Sequence, residues 1–245
     1  MTRRRRPHSP VDIAAELVIL TVRSGPSEVE QSQPRDPQLK VLLVERADDP
    51  YRGQLALPGG FMRDDDESLE TTARRQLHKE TGLDEVIPHL EQVGTYSAAE
   101  RDPRRRVITT AYLAIAPDLP MQSAHPEARD AGWTPVKDAL ASPKKLAFDH
   151  HRILRDAVER ARTKLEHSPI ATAFCGDEFT IADLRRVYEV IWGVSLDPGN
   201  FNRKVTKTAG FIEPVGNKRR FDTGRPAELY RRGNATTLHP PLLRP

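Results

Sequence analysis

The sequence predicts an α/β sandwich over residues 11–165, followed by a small basic domain of helix, turn, helix and hairpin over residues 174–245. Three observations carry this division. Strand-like apolar runs, a glycine turn and an amphipathic helix alternate within the first 150 residues, as in an α/β fold. From Phe174 the pattern changes to two short capped helices and two short strands, the plan of a winged helix-turn-helix. The charge divides as well: residues 171–245 hold 12 Lys and Arg against 8 Asp and Glu, a net of +4, and with the whole chain at +3 the first 170 residues are left at −1.

Each element has its own local reason. Residues 1–10, with Arg3–Arg6, read as a mobile basic arm. Ala14–Val22 and Leu39–Val44 are rich in Val, Leu and Ile and read as strands; between them Ser24–Gln38, with three Ser and three Pro, reads as a loop. Leu57-Pro58-Gly59-Gly60 is a turn leading into a helix over Glu67–Thr81. An Asp run lies in the cap region of that helix, Leu69, Ala73 and Leu77 form its apolar stripe, and Gly82 stops it. Val107–Ile115 reads as a strand. Phe148–Lys164 reads as a charged helix with Ile153, Leu154, Ala157 and Val158 inward, and 166–173 as a linker. Thr180-Ile-Ala-Asp183 has capping-box form, with Ile181, Leu184, Val187, Tyr188 and Ile191 on one face and Gly193 as a stop. Asp197-Pro198 opens a second helix that packs Phe201, Val205 and Thr208 inward and ends at Gly210. Phe211–Val215 and Pro226–Arg231 read as strands joined by a Gly/Asn/Lys/Arg tip.

Composition excludes several classes. No apolar run approaches the roughly 20 residues needed to span a bilayer. Arg3–Arg6 hints at an export signal, but Asp12 and Glu16 interrupt the apolar stretch that follows. The single cysteine, Cys175, excludes an intramolecular disulfide. A cytoplasmic protein with no membrane partner is expected.

The segment Gly60-Phe-Met-Arg-Asp-Asp-Asp-Glu67, continued by Arg75-Gln-Leu-His-Lys-Glu-Thr-Gly82-Leu83, resembles the Nudix box, a pattern of Gly, five residues, Glu, seven residues, Arg-Glu-aliphatic-x-Glu-Glu-x-Gly-aliphatic. With the flanking strands the resemblance covers roughly residues 10–165 and implies the Nudix α/β/α sandwich. Three departures stand out. One residue is inserted before Glu67, Gln76 replaces one glutamate, and Lys79 replaces another. In the family these carboxylates hold divalent metals at a diphosphate. Positions 76, 79 and 80 are spaced i, i+3 and i+4 and share one helical face. Three carboxylates there would carry −3, whereas Gln, Lys and Glu sum to zero. Magnesium wants anionic oxygen, and Glu80 alone does not organise a two-metal clamp. No catalytic residues, no metal and no required cofactor are therefore expected, although Asp64–Asp66 offer alternative oxygens. Lys79 either pairs with a ligand diphosphate or makes a salt bridge with Glu80 or Glu67. The resemblance implies a nucleoside-diphosphate ligand of the ADP-ribose type, with Arg46, Pro58, Gly59, Gly60, Glu67, Arg75, Lys79, Glu80, Arg101, Phe148 and His150 as candidate contacts. Phe148 also suits a core position, and His150 a satisfied histidine at a helix start.

In the second domain Asn200, Arg203, Lys204 and Lys207 share the helix face left free by the apolar residues, with Asn202 beside them. Arg and Asn suit base edges in the major groove, and Lys suits phosphates. Lys218, Arg219, Arg220 and Arg225 form the expected wing. Both halves together resemble the Nudix-related transcriptional regulators of the NrtR family, notably in Leu57–Met62, Leu146–His150 and the 179–231 segment. The resemblance implies a homodimeric repressor on a palindromic duplex DNA operator, near genes of NAD metabolism or pentose use and answering to an ADP-ribose-like effector. An ADP-ribose pyrophosphatase with a basic accessory domain, and a scaffold or RNA-binding module, are the competing classes.

Overall fold

The computed structural model describes residues 10–23, 37–64, 66–81, 90–115, 131–219 and 226–245. Among these, contacts group 10–19, 41–115 and 131–157 into one unit, and 20–40 with 158–245 into a second.

A seven-stranded sheet organises the first unit. Strand β1 (Asp12–Arg23) buries Ala14, Ala15, Leu17, Val18, Ile19 and Leu20 in succession, the continuous apolar pattern of a strand covered on both faces. Around it lie β2 (Gln38–Glu45), β3 (Leu55–Ala56), β4 (Gly59–Phe61), β5 (Leu90–Tyr96), β6 (Val107–Ile115) and β7 (Ala131–Pro135), in the order β3-β2-β1-β6-β5, with β4 on β1 and β7 on β2. Strand β6 has the bounds expected of it. The turn expected at 57–60 is in part strand, because Gly59 and Gly60 pair antiparallel with Glu16 and Ala15. Strands β3, β4, β5 and β7, and helix α2 (Val136–Ala141), have no counterpart among the expected elements.

Helix α1 (Leu69–Thr81) buries Ala73 and Leu77, joined by Thr72 and Gln76. Its first turn is capped by Ser68, whose hydroxyl accepts from the Thr71 amide at 3.1 Å. The Asp run lies in the preceding loop instead, since Asp64 accepts from the Asp66 amide. Gly82 lies outside the described residues. Helix α3 (His150–His167) buries Ile153, Leu154, Ala157 and Val158 as expected, and continues with Ala161 and Leu165.

The second unit corrects the expected linker. Residues 166–173 hold the end of α3 and most of a 3-10 helix over Pro169–Phe174, with Pro169, Ala171 and Thr172 buried. Helix α4 (Ile181–Trp192) has the capping box at Thr180 and Asp183, with Gly193 left-handed at its end. It is joined to α3 by Tyr188 Oη donating to the Leu165 carbonyl and Trp192 Nε1 to that of Arg162. Residues 161–167 and 169–173 are helical, and the carbonyls of Arg162 and Leu165 accept from α4. Helix α5 (Pro198–Lys207) is capped by Asp197 and buries Phe201 and Val205; the Phe201 ring stands edge-on to Tyr188. Strands β8 (Ile212–Arg219) and β9 (Ala227–Arg232) form an antiparallel hairpin. Gly216, Asn217, Lys218 and Arg219, expected at its tip, belong to β8.

The chain then returns to α3. The Leu238 and Leu242 amides donate to the carbonyls of His167 and Glu166, and Arg244 pairs with Glu159. Leu238 and Leu242 are buried, whereas Leu243 is 55% exposed. Leu242→Ala is expected to cost about 2–5 kcal/mol, and Leu243→Ala about 0.5 kcal/mol or less. Urea unfolding checks this, and equal effects of the two substitutions would sink the assignment of the tail as a packed strap.

Candidate functional sites

The hairpin from β2 to β3, the β4 strand and the start of α3 converge on a cavity of about 220 Å³. Its walls include Arg46, Pro58, Gly59, Gly60, Arg101, Phe148 and His150, seven of the candidate contacts expected from sequence. Glu67, Arg75 and Lys79 do not line it. The side chain of Glu80 lies outside the described residues.

Arg46 sits where the β2–β3 hairpin opens. Its guanidinium donates to the carbonyls of Pro50 (2.8 Å) and Asp48 (3.2 Å), both neutral groups, and lies 4.7 Å from the centre of the Phe148 ring. Arg104 approaches the same ring at 5.7 Å. Burial, and then the charge of Arg104, push the Arg46 pKa below its ordinary value. Arg104 is neutralised by a bidentate pair with Asp102, whose carboxyl that contact holds below the usual range. Arg101 is likewise paired with Asp149, and its side chain is only 3% exposed, so its charge is spent inside the wall. Among the cavity cations, Arg46 is thus the one held by neutral acceptors.

Phe148 is half-buried at the cavity, not in the core, and its ring meets Tyr51 edge-on at 4.8 Å. Both residues have left-handed backbones, with φ of 53° at Phe148 and 70° at Tyr51. Such conformations cost on the order of 1–3 kcal/mol each and gather at ligand sites. His150 opens α3, and its Nδ1 accepts from the Leu57 amide at 2.9 Å. That bond places the ring proton on Nε2. Nε2 is buried without a hydrogen-bond partner, 3.6 Å from Glu16 Oε1. The expectation of a satisfied histidine thus holds for one nitrogen only.

Glu16, Tyr51 and Arg104 were not among the sequence candidates. Glu16 carried a signal, as a lone charge inside the apolar run Ala14–Leu20; Tyr51 and Arg104 carried none, because only the fold brings their loops together.

Glu67 and Arg75 form a separate brace beside the cavity. Arg75 donates to both Glu67 oxygens, at 2.7 and 3.0 Å, and to the Phe61 carbonyl, while the Arg63 amide donates to Glu67. The pair holds the loop after β4 onto α1. Gln76 is buried against Gly60, where an added β-carbon would meet its Nε2 at 2.1 Å.

In the second unit Asn200, Asn202, Arg203, Lys204 and Lys207 stand exposed on α5, opposite Phe201, Val205 and Thr208. Arg203 donates to the Asn200 side chain at 3.0 Å. This leaves a row of amide and cationic groups suited to a polyanion. Lys218 is exposed on β8. Arg219 is instead engaged by Asp183 and the Glu178 carbonyl, which ties the hairpin to α4. Arg220, Arg225 and the Arg3–Arg6 arm lie outside the described residues.

The NUDIX domain model matches residues 33–157, and the NrtR DNA-binding winged helix domain model matches residues 171–232. The ADPR responsive transcriptional repressor NtrR of Acinetobacter baylyi is 32% identical over 214 residues, which cover 87% of this chain and 81% of that protein. The ADP-ribose pyrophosphatase of Methanocaldococcus jannaschii is 36% identical over 120 residues, 48% of this chain and 64% of that one. Among solved structures, Shewanella oneidensis NrtR complexed with a 27mer DNA superposes with a TM-score of 0.70 at 34% identity, covering 90% of this chain and 93% of that one.

The brace generates a prediction about acid stability. Hydrogen bonds from Arg75 and then from the Arg63 amide lower the Glu67 carboxyl from its ordinary 4.5 to about 2. A carboxyl depressed on folding contributes stability above its unfolded pKa and loses it as pH falls through the folded one. The urea midpoint of the native protein is expected to drop between pH 4.5 and 2 more steeply than that of Glu67→Gln. Parallel curves for the two proteins would show that the brace does not act in this window.

Proposed function

The chain belongs to the NrtR family of Nudix-related transcriptional regulators, and from that premise we propose that it is a repressor that binds duplex DNA through α5 and the β8–β9 wing and answers to ADP-ribose. The carrying observation is a cavity with two guanidiniums on one aromatic ring, in a chain whose second domain presents a basic helix. An aromatic face flanked by guanidiniums suits a base or ribose next to a diphosphate. Residues 11–165 make the sensing domain and 174–245 the DNA-binding domain, and the protein acts as a homodimer on a palindromic operator. Two winged helices on one DNA face require half-sites about 34 Å apart or a multiple of that.

Loss of hydrolysis belongs to the same reading. Supporting it, position 76 carries a buried amide, position 79 an ammonium, and Glu67 is held by Arg75. With Glu80 as the remaining carboxylate of the motif, this donor set does not fit a hard divalent ion. The similarity to an ADP-ribose pyrophosphatase favours the second reading, an active hydrolase with a basic accessory domain.

Two measurements separate the readings. ADP-ribose with Mg²⁺ or Mn²⁺ should show no turnover near an ordinary enzymatic rate, on the order of 1 s⁻¹; such a rate establishes the hydrolase instead. Restoring Gln76→Glu and Lys79→Glu together tests whether the two positions are what is missing.

Binding to DNA from the chain's own genomic neighbourhood should weaken at least about tenfold with saturating ADP-ribose, roughly 1.4 kcal/mol of coupling. Arg203→Ala should lose more affinity for that DNA than for random duplex, whereas Lys218→Ala should lose both alike. An ADP-ribose-independent affinity rejects the sensor, and equal losses for Arg203→Ala reject it as the base reader.

A further inference from the structure

We propose that Glu16 and His150 together form a clamp for a ribose hydroxyl of the effector, and so set which nucleoside diphosphates the cavity accepts. The inference rests on the reading of this cavity as an ADP-ribose site.

Glu16 stands in the middle of β1, within an otherwise apolar run, and its side chain is only 13% exposed. A carboxylate so placed is costly unless it is paired. Among the described residues it has no side-chain hydrogen bond: His150 Nε2 stands at 3.6 Å, too long for one, and Arg46 acts on it through charge alone. Across the strand it faces Gly59, where an added β-carbon would meet Glu16 Oε2 at 2.2 Å, so the carboxylate rests on bare backbone at the cavity wall. His150, 2% exposed, directs an Nε2–H that has no acceptor to the same place.

A donor and an acceptor therefore stand side by side, the donor buried and the acceptor open to the cavity, neither with a hydrogen-bond partner among the described residues. The group that completes them must accept from Nε2–H and donate to the carboxylate. A phosphate cannot, since it only accepts and Glu16 repels it; an ammonium cannot accept. A sugar hydroxyl does both. Its position fits too. The His150 ring lies 5.3 Å from that of Phe148, whose face carries Arg46 and Arg104. With a diphosphate at those guanidiniums, the next group along a nucleoside diphosphate is ribose, and the base lies one unit further.

The test is calorimetric binding of ADP-ribose, ADP and 2′,3′-dideoxyadenosine diphosphate to the full chain and to Glu16→Gln and Glu16→Asp. Glu16→Gln keeps the shape and removes the charge; Glu16→Asp keeps the charge and withdraws it. Each variant should bind ADP-ribose at least about tenfold more weakly, the scale of one charge-assisted hydrogen bond. Loss on ADP-ribose but not ADP places the terminal ribose in the clamp. Loss on ADP-ribose and ADP, with none on the dideoxy analogue, places the adenosine ribose there. Equal loss on all three ligands overturns the proposal in favour of the adenine edge or a general electrostatic effect. No loss on any overturns it in favour of a bridging water. Failure of the unaltered chain to bind ADP-ribose overturns the effector reading, and the clamp with it.

Discussion

Strand β4 runs antiparallel against β1 with Gly59 opposite Glu16 and Gly60 opposite Ala15, and neither glycine has room for a β-carbon. The space beside one is taken by the Glu16 carboxylate, that beside the other by the amide of Gln76. This close approach sets the depth of the cavity and the seat of α1 together. A side chain at 59 would expel Glu16 from the wall, and one at 60 would lift Gln76 and the helix that carries it. The Glu67–Arg75 brace then holds the connecting loop, so that β4, loop and α1 act as one piece. The Leu57 amide, two residues before Gly59, fixes His150 and through it the start of α3. The features of the cavity thus trace back to a strand of three residues.

Helix α3 gives side chains to both units. Ile153, Leu154 and Ala157 are buried in the first; Ala161 and Leu165 are buried in the second, where the Leu165 carbonyl receives Tyr188 and the last turns receive the C-terminal strap. A fragment beginning at residue 171 would lack that half of the helix and leave Tyr188 and Trp192 without their acceptors. The DNA-binding domain proposed for 174–245 therefore depends on residues that precede it.

Long-period and capping signals were legible in the sequence. Val107–Ile115, the Thr180–Asp183 box, Gly193 and the Asp197-Pro198 start each depend on neighbours a few residues away, and each stands where local chemistry puts it. Strands β3 and β4, two and three residues long, have no period to read. Strand β5 is interrupted by an irregularity at Gln92–Gly94, which breaks its alternation. The strap was illegible because Leu238 and Leu242 are recognisable as core only once α3 lies beside them. For the cavity, the motif spacing drew attention to the helix face at Lys79. The structure leaves Lys79 outside the cavity and gathers the candidates Arg46, Phe148 and His150, with Arg104 and Glu16 added, from well-separated stretches of the chain. Sequence registers the helix that carries a motif more easily than the loops that long-range pairing brings to its strand.

The proposed sensor asks less of this cavity than hydrolysis would. Hydrolysis needs metals that polarise the diphosphate and activate water, whereas a sensor needs only a ligand that prefers one arrangement of the protein, and its response cannot exceed that preference. The guanidiniums at Phe148 offer such a preference. Arg46 is held by carbonyls, and the charge of Arg104 works against its own. A bound anion would add an attraction strongest at Arg46, whose partners are neutral, a gain available only when ligand is present. Arg46 shares its loop with Tyr51, which like Phe148 has a left-handed backbone, so in this proposal the ligand acts on strained positions. Phe148 is two residues from the start of α3.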